Sequence, residues 1–538
     1  MQPKFKSLES KQLNHSKKSS SRRLIPVTLA LSLSCAAAVA QDITELLQLL
    51  KDKGILTEEE FRKFSDRQKV QRDSHREEIK FRASEVAKEE VKAAAKDEVK
   101  GSVRDGITFE STDKKYSLSI RGRAEMDYRY FHGDDGLNAN TFDLRRAYLS
   151  AEGKVYENYE FRVRANYSTL NGPTTTVCTA VGVTSPTNST PVCTATTAVA
   201  NTANTSLDEA WLNVNWWKAA QFKFGQFKMP YSLEQLNTEL YTDFMERSMG
   251  DVISPGKERG VQVWGYPIDG LYYAVAYSNG QGVNANETNN LVDGQDLLAR
   301  TTVNIPGLFG NTSFVAHVGG SYSNGTIPIG SAFAGRTEAR GIQFFVPAAF
   351  TGNDVDRTRY GLEGALAFGP VKFQTEFMRA SFSGRSAASA TAVATNFDKD
   401  IDAFYASLVW MITGEHYADR YRNGLFPRPR VNSNFGLKGG GWGAWEVGIR
   451  YSKFDASDFQ TTTAALVGSG VIPAGGTNQA DAWTLGLKWL PNPNVRFMLN
   501  YIETKFDTPI IITNTGRTGS TATTDKERAV TFRAQVDF

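Results

Sequence analysis

Several segments of this 538-residue chain carry charged side chains at every second position. Arg121 and Arg123 form one such pair and Arg162 starts another, so each pair would share one face of a β-strand. A guanidinium group stays charged and presents five donors in a fixed geometry, so a row of arginines could bind carboxylate or phosphate. Acidic residues alternate in the same segments, so the row could equally be a wall of ion pairs. The candidate arginines are Arg121, Arg123, Arg129, Arg145, Arg162, Arg164, Arg357 and Arg359, and the acids are Glu125, Asp127, Asp143, Glu160, Asp208, Glu209 and Glu376.

The sequence lacks the usual motifs for hydrolysis and for metal binding. Neither a Gly-x-Ser-x-Gly elbow nor an HExxH motif lies near any of the three histidines that follow residue 100. The cysteines show neither a zinc-type spacing nor a CxxC pair. The sequence therefore predicts no enzyme, no metal and no cofactor. The five histidines are His15, His75, His132, His317 and His416.

Residues 1–40 have the organisation of a secretory signal peptide. A basic run at 17–23 precedes an apolar stretch, and Ala38-Val39-Ala40 offers a small-residue cleavage site; an N-terminal membrane anchor is the alternative. This segment holds seven Lys/Arg and one Glu, so its removal changes the net charge from +3 to −3 and argues against nucleic acid as a partner. In an exported protein, Cys178 and Cys193 are candidates for one loop disulfide.

Residues 41–106 differ in composition from the rest of the chain and read as a helical segment facing the periplasm. Gly54 would end a first short helix, and Thr57 with Glu60 forms a capping box for a second. The stretch 66–104 is expected to be one long charged helix with a stripe of Val91, Ala95, Val99 and Val103. The helix could form a coiled coil that helps a trimer assemble, or it could be a solvated or partly disordered linker. A wall-tethering role for this segment is a further possibility.

From residue 116 onward the hydrophobic period changes to two. The last twelve residues, up to Phe538, alternate without a break, and runs of about 10 residues with aromatic ends fit strands that face lipid on one side. The mean hydropathy of −0.37 is too polar for a helical membrane protein. Short turns alternate with long Thr-, Ser-, Gly- and Asn-rich loops, which is typical of outer-membrane barrels, whereas a soluble secreted β-protein has no reason to sort its loops. Residues 107–538 are therefore expected to form the barrel.

The predicted strands number sixteen, and a barrel of this size encloses an aqueous channel. The weakest hairpin is the sixth, because its connection, residues 413–443, is too long for an ordinary turn. The predicted strands are 117–131, 143–152, 158–167, 207–216, 221–228, 260–266, 270–277, 297–305, 312–322, 357–368, 371–380, 400–412, 444–453, 482–490, 494–503 and 527–538.

The third long loop, residues 229–259, begins with proline and has a helix-forming segment at 233–240. Large porins fold their third loop into the channel, so this loop is expected to set the constriction; an exterior helix is the alternative. The residues that it would bring to the narrowest zone are Lys228, Gln235, Lys257, Glu258 and Arg259.

Short motifs spread in order along the barrel region give this chain a family resemblance. They are Ile120-Arg121-Gly122-Arg123, Leu144-Arg145-Arg146-Ala147-Tyr148-Leu149, Leu207-Asp208-Glu209-Ala210, Phe224-Gly225-Gln226-Phe227, Ser232-Leu233-Glu234, Phe244-Met245-Glu246-Arg247-Ser248, Leu408-Val409-Trp410-Met411-Ile412-Thr413-Gly414-Glu415, Gly443-Ala444-Trp445-Glu446 and Leu485-Gly486-Leu487-Lys488-Trp489. The sequence resembles the phosphate-selective porins O and P. The resemblance implies a trimer of 16-stranded barrels in the bacterial outer membrane, with an arginine ladder leading to a central anion site. Arg123, Arg145 and Arg146 fall on arginine positions of that family.

Two positions depart from the phosphate-specific members of that family. Gln235 and Glu160 stand where those members have lysines, so the local charge is more negative by 3. Each unit charge about 4 Å from a bound anion is worth roughly 4 kcal/mol at an effective dielectric near 20. The expected function is passive diffusion of small solutes, chiefly anions, without tight phosphate binding. A non-specific or weakly cation-selective porin is the alternative, and an outer-membrane enzyme is disfavoured.

Overall fold

The structure of the protein is a computed structural model. It describes residues 48–94, 99–103, 106–132, 140–168, 175–185, 188–199, 206–283, 294–327, 334–350, 355–386, 393–460, 472, 476–514 and 520–538. The predicted signal peptide at residues 1–40 lies outside these residues. The chain divides into two compact units at residues 97 and 98, and each is described separately.

The first unit is helical. Residues 48–52 are helical, Gly54 has a φ of 73°, and helix α1 spans Glu58–Ala94. The capping box is confirmed, because the Thr57 backbone N–H donates to Glu60 Oε2 at 3.0 Å and the Glu60 N–H donates to Thr57 Oγ1 at 3.4 Å. Phe64, Val70, Ile79, Phe81 and Val86 of α1 are exposed, and a coiled coil remains a prediction. Among the described helices, none is both long enough and apolar enough to cross a membrane.

The predicted helix over residues 66–104 is wrong at its C-terminal end. Strand Lys100–Val103 pairs with strand Ile107–Glu110, which in turn pairs with residues 117–120. Gly101 and the β-branched residues Val99 and Val103 favour extended backbone over helix, and Gly106 turns the chain with a φ of 110°. The regular β-structure of the second unit therefore begins earlier than the residue periodicity indicated.

Sixteen antiparallel strands form the wall of the second unit. The register closes the sheet, because the last strand pairs with the first from Ala529↔Phe131 to Asp537↔Arg123. The strands are β1 (Ser117–Phe131), β2 (Thr141–Val155), β3 (Tyr159–Asn166), β4 (Ser206–Trp217), β5 (Ala220–Lys228), β6 (Lys257–Gly265), β7 (Leu271–Ser278), β8 (Asp296–Asn304), β9 (Phe314–Ile327), β10 (Val355–Phe368), β11 (Val371–Arg385), β12 (Asn396–Met411), β13 (Ala444–Asp455), β14 (Gln479–Asn492), β15 (Val495–Asn514) and β16 (Ser520–Asp537).

The C-terminal residue completes the closure. Phe538 and Gly122 exchange two backbone hydrogen bonds of 3.0 Å each. The ring of Phe538 lies over Gly122, where a Cβ atom would come within 2.2 Å of the ring. Position 122 therefore requires glycine, because the aromatic ring approaches too closely for a Cβ atom. The ring of Phe538 packs at the seam of the barrel, where β1 pairs with β16.

Side chains alternate between an enclosed lumen face and an apolar outer face. On β16 the outward Phe532 and Val536 are exposed, whereas Thr531, Arg533 and Gln535 are buried. On the outer face near the short turns, aromatic rings stack across four strands, with centroid distances of 5.4 to 6.2 Å. Such a belt fits the level of lipid headgroups. The stacked rings are Trp445, Trp489, Phe497 and Phe532.

The sixth hairpin is correct despite its long connection. Residues 412–443, here called the turn-side connection, contain only the 3-10 helix Ala418–Arg420 and isolated bridges. Its first part folds into the barrel, where Tyr417, Ala418 and Phe426 join a buried cluster with Leu233 and Phe244. On the opposite side, the segment 334–350 packs Phe344 and its neighbours against the inner wall.

The predicted disulfide lies in the loop between β3 and β4. Strands Thr175–Ser185 and Asn188–Val199 form a separate hairpin there, with Cys178 opposite Thr196 and Cys193 opposite Val181. The two cysteines are thus not register partners. Their side chains lie outside the described part of the structure, and the disulfide remains a prediction.

Candidate functional site

The loop between β5 and β6, residues 229–256, lies inside the barrel, and we call it the inward loop. A short helix at Leu233–Leu236 begins at Ser232, whose hydroxyl accepts a bond from the Gln235 N–H. Glu376 on β11 accepts the backbone N–H groups of Leu233 and Glu234 at 2.9 and 2.6 Å. A wall carboxylate thus satisfies the free amides of this turn and fixes the loop across the lumen. The expected inward position of this loop is confirmed, although its helix is shorter than expected and β6 begins at Lys257.

Lys228 anchors the start of the inward loop. Its ammonium donates to the backbone carbonyls of Gln235 and Asn237 at 2.7 and 3.1 Å, and it lies 3.4 Å from Glu239. Glu239 is also 2.6 Å from Arg247. Burial alone would raise the pKa of Glu239, but Lys228 and Arg247 hold this pKa well below its ordinary value. Lys228 therefore stabilises the inward loop at the constriction, and few of its N–H donors remain for a solute.

Glu246 of the inward loop lies at the centre of a cluster of arginines. Its carboxylate is 2.7 Å from Arg145 and 2.9 Å from Arg533, and Arg129 and Arg340 follow at 3.6 and 3.9 Å. Burial would raise the pKa of Glu246, but Arg145 and Arg533 hold this pKa well below its ordinary value. The loop therefore inserts a permanent negative charge where several wall arginines converge.

Arg145 and Arg146 both reach the lumen because β2 contains a bulge. The register passes from Glu125↔Arg146 to Met126↔Leu144, so Arg145 has no partner on β1. Arg146 binds Glu125 at 2.8 Å while Arg145 binds the loop. Strict alternation would have turned one of these two arginines to the outer face.

The seam between β1 and β16 holds a buried charge network. Arg533 binds Asp127 at 2.6 Å and lies 3.4 Å from Glu125. Arg123 lies 3.5 Å from Glu125 and 3.8 Å from Glu239, and its guanidinium stands 4.5 Å from the ring centroid of Tyr148. The arginines of this row are thus balanced by carboxylates of both the wall and the loop.

A second network covers the wall from β1 to β6. Glu152 accepts from Arg121 and Arg162, each at 2.6 Å. A second bulge leaves Asp208 without a partner on β3, so that both Asp208 and Glu209 bind Arg164, at 2.5 and 2.6 Å. The remaining contacts are Lys257 with Asp208 at 2.7 Å, Arg162 with Glu209 at 3.0 Å and Arg259 with the side-chain oxygen of Gln226 at 3.3 Å.

Gln235 and Glu160, the positions expected to weaken phosphate binding, occupy different parts of the barrel. Gln235 is buried in the inward loop, and its side-chain oxygen has no hydrogen-bond partner among the described residues. Glu160 lies at the short-turn end of β3 and accepts from Asn213 and Asn215 at 3.2 and 2.8 Å. No described contact joins the two residues, so their charges act at separate points of the lumen.

Several lumen residues escaped the sequence reasoning because their partners are distant in sequence. Arg450 binds Glu234 of the inward loop at 3.0 Å and Glu338 at 2.6 Å. Arg300 binds Glu363 at 2.5 Å. Glu234 and Glu246 had a signal, since each belongs to a family-like motif, but the motifs gave no indication of the arginines that these two residues contact.

The turn-side connection folds into the lumen from the end of the barrel that carries the short turns. The hydroxyl of Tyr421 lies 2.6 Å from Nδ1 of His317, whose Nε2 lies 2.8 Å from Glu363. The N–H of Phe426 donates to Asn237 of the inward loop at 3.1 Å. Arg428 contacts Asp537 at the end of β16. The inward loop and the turn-side connection thus touch each other inside the barrel and narrow the path through it.

Metal binding finds no support in the described part of the chain, where no group of three or more His, Cys, Asp or Glu side chains could hold an ion. The charged groups are instead arranged as cation–carboxylate pairs along the wall. Such an arrangement can bind and pass ions.

Comparisons with known proteins agree with this geometry. The family model described as phosphate-selective porin O and P matches residues 118–538. Porin O of Pseudomonas aeruginosa is 24% identical over 429 residues, which cover 75% of this chain and 86% of that protein. An uncharacterized protein of Caulobacter vibrioides is 37% identical over 97 residues, 18% of this chain and 16% of that one.

Solved structures of similar fold have low sequence identity to this chain. The trimer form of OmpT from Vibrio cholerae gives a TM-score of 0.43 at 11% identity and covers 79% of this chain and 100% of that one. The outer membrane channel DcaP of Acinetobacter baumannii gives 0.44 at 11% identity, with coverage of 81% and 100%.

Proposed function

Because this chain belongs to the phosphate-selective porin O and P family and is a non-enzymatic outer-membrane porin, we propose that it passes small hydrophilic solutes with only a weak preference for anions. Its proposed organisation is a signal peptide at 1–40, a periplasmic helical segment at 41–106 and a barrel at 107–538. The function rests on the lumen, since selectivity is set by the charges that a permeating ion meets.

The observation that carries this proposal is the pairing of the arginine row. Arg145, Arg146 and Arg164 each lie within 2.8 Å of a carboxylate, and Glu246 adds a loop carboxylate to the same region. A paired guanidinium retains some free donors but little net field, and water in the lumen screens the remainder. We therefore expect anions to be favoured only where the positive charge of the wall is larger than the negative charge of the neighbouring carboxylates.

Phosphate specificity is not part of this proposal. The resemblance implies lysines at positions 235 and 160, and this chain has Gln235 and Glu160. The nearest fixed cation to Gln235 is Lys228, which already donates to two loop carbonyls. A dehydrated phosphate at the constriction would thus lack the donors needed to replace its water shell.

The test is the reversal potential of the purified channel in planar bilayers under a potassium chloride gradient, followed by titration with phosphate. We expect a potential near zero or slightly anion-selective and no block at micromolar phosphate. The double variant Gln235→Lys with Glu160→Lys should become more anion-selective and bind phosphate more tightly. Strong anion selectivity of the unmodified protein with micromolar block would contradict the proposal.

We also propose a homotrimer. The outer faces of β16, β1, β2 and β3 carry small residues that would allow close approach of another barrel, in contrast to the aromatic outer face of β13 to β15. Cross-linking in detergent, with mass measurement of the product, tests this. A purely monomeric mass would refute it. The small outward residues are Ala534, Ala124, Ala147, Ala151 and Ala165.

The helical segment is proposed to be dispensable for conduction. Its exposed, charged helix α1 suits either trimer assembly or attachment to the envelope. Deletion of residues 42–97, which keeps strand Lys100–Val103, should leave single-channel conductance unchanged, and a lost or altered conductance would mean that the segment takes part in the channel.

A further inference from the structure

Lys223 on β5 differs from the other lumen cations in its surroundings. Its ammonium lies 4.9 Å from the ring centroid of Trp211, 5.1 Å from that of Trp264 and 5.4 Å from that of Phe227. Among the described residues, no carboxylate lies within ion-pair distance of this ammonium and no hydrogen bond to it is formed. Cation–π contacts hold a cation in place without cancelling its charge. Lys223 therefore keeps a net positive field that the paired arginines lack.

The two tryptophans flank Lys223 along the direction of permeation. Lys223 is in register with Asn213 on β4 and with Gln262 on β6. Trp211 lies two residues from Asn213 towards the long loops, and Trp264 lies two residues from Gln262 towards the short turns. A solute moving through the barrel would therefore pass an aromatic ring, a cation and a second ring in order.

The faces of the indole rings already carry cations, since the Lys223 ammonium lies over both rings and the Arg162 guanidinium lies 5.5 Å from the centroid of Trp211. A solute would therefore meet the ring edges. The indole N–H of Trp264 donates to Asn213 at 2.9 Å, and that of Trp211 donates to Glu209 at 3.4 Å. Lys223 and both tryptophans are only partly buried. Their polar N–H groups are occupied, so what remains for a solute is apolar surface on either side of an ammonium.

We propose that Trp211, Lys223 and Trp264 form a binding subsite for aromatic carboxylates. The carboxylate would pair with the Lys223 ammonium, and the ring would pack against the indoles in the edge-on geometry that aromatic pairs adopt. Chloride, acetate and phosphate can use only the charge. This subsite rests on the proposed function, because it assumes that anions diffuse through the lumen, and it names the class of anion that the channel retains longest.

The experiment is block of chloride current in planar bilayers by benzoate, with acetate as the reference anion of equal charge. We expect benzoate to block at a concentration roughly tenfold lower than acetate, as one favourable aromatic contact of about 1.4 kcal/mol would give. Lys223→Met should abolish the benzoate block, and Trp264→Leu should reduce it to the acetate level. The matched control is Lys505→Met, which removes an exposed lysine whose neighbouring charge is Glu503, and it should behave as the unmodified protein.

Two outcomes overturn the subsite: equal block by benzoate and acetate, or benzoate block that survives Lys223→Met. If chloride conduction is weakly selective but benzoate has no advantage, the subsite fails and the proposed function stands. If the refolded protein conducts no ions, the proposed function fails and the subsite falls with it. For a variant that does not insert into bilayers, quenching of tryptophan fluorescence by benzoate in detergent gives the same comparison, and unchanged quenching in Lys223→Met refutes the subsite.

Discussion

Replacement of Glu246 by glutamine is the sharpest test of how the lumen sets its selectivity. The change keeps the shape of the side chain and removes one negative charge from a position 2.7 Å from Arg145 and 2.9 Å from Arg533. Arg129 and Arg340, at 3.6 and 3.9 Å, would lose part of their compensation as well. The narrowest region would then carry one more net positive charge.

The expected magnitude follows from Coulomb's law at these distances. A unit charge about 4 Å from an ion is worth about 1 kcal/mol in water and about 4 kcal/mol at an effective dielectric of 20. The lower figure applies to a hydrated lumen, and it changes the permeability of each ion roughly fivefold, upward for chloride and downward for potassium, so the ratio of chloride to potassium permeability should rise roughly 25-fold. The assay is the reversal potential in a salt gradient, because it reports this ratio directly.

The control for this variant is Glu503→Gln. Glu503 also binds an arginine, with its carboxylate 2.6 Å from Arg528, but this pair is more exposed and lies outside the Glu246 cluster. We expect its reversal potential to match that of the unmodified protein. A folded Glu246→Gln channel with an unchanged reversal potential would refute the reasoning, because it would mean that ions do not pass the cluster.

Three further predictions concern the seam, the inward loop and the turn-side connection. Gly122→Val would place side-chain atoms inside the ring of Phe538, so the fraction of heat-resistant folded barrel in gel electrophoresis should fall sharply. The pKa of Glu246 is held well below the ordinary 4.5, so the stabilisation that Glu246 gives the inward loop is complete above pH 4.5 and is lost as the pH falls through the lowered pKa. The current noise of the channel should therefore be constant from neutral pH to about pH 5 and rise only in stronger acid. Tyr421→Phe removes the hydrogen bond to His317 and should lower the free energy of unfolding by about 1 kcal/mol, measured by denaturant titration, with larger current fluctuations.

Each of these predictions has an outcome that contradicts it. Gly101→Val is the control for the seam, because a Cβ at Gly101 meets no atom within 4 Å, and equal losses in both variants would exclude the ring contact as the cause. Noise that rises between pH 8 and pH 5 would mean that protonation of Glu246 is not the event that loosens the inward loop. If the Tyr421→Phe protein has the same free energy of unfolding and the same current fluctuations as the unmodified protein, contacts other than this hydrogen bond hold the turn-side connection in place.

The strand pattern could be predicted because alternation is a local property. A period of two, turn residues and aromatic ends are visible within about 10 residues, so fourteen of the sixteen predicted strands lie within five residues of their bounds. The exceptions are β15, which runs on to Asn514 instead of ending at 503, and β16, which begins at Ser520 instead of 527. The boundary near residue 100 was missed because Gly101 and two β-branched valines lie in a charged stretch whose composition resembles that of the helix before it. Local pattern alone did not separate the two conformations there.

The sequence by itself determined the barrel, the closed seam and the presence of charged groups in the lumen, since all of these follow from residue type and strand period. Only the tertiary structure decided which charges remain free. Arg145 meets Glu246 across 101 residues and Arg533 meets Asp127 across 406. Two bulges turn Arg145 and Asp208 inward against the alternation. Net charge in a pore is a sum over such distant pairs, and no local pattern contains it.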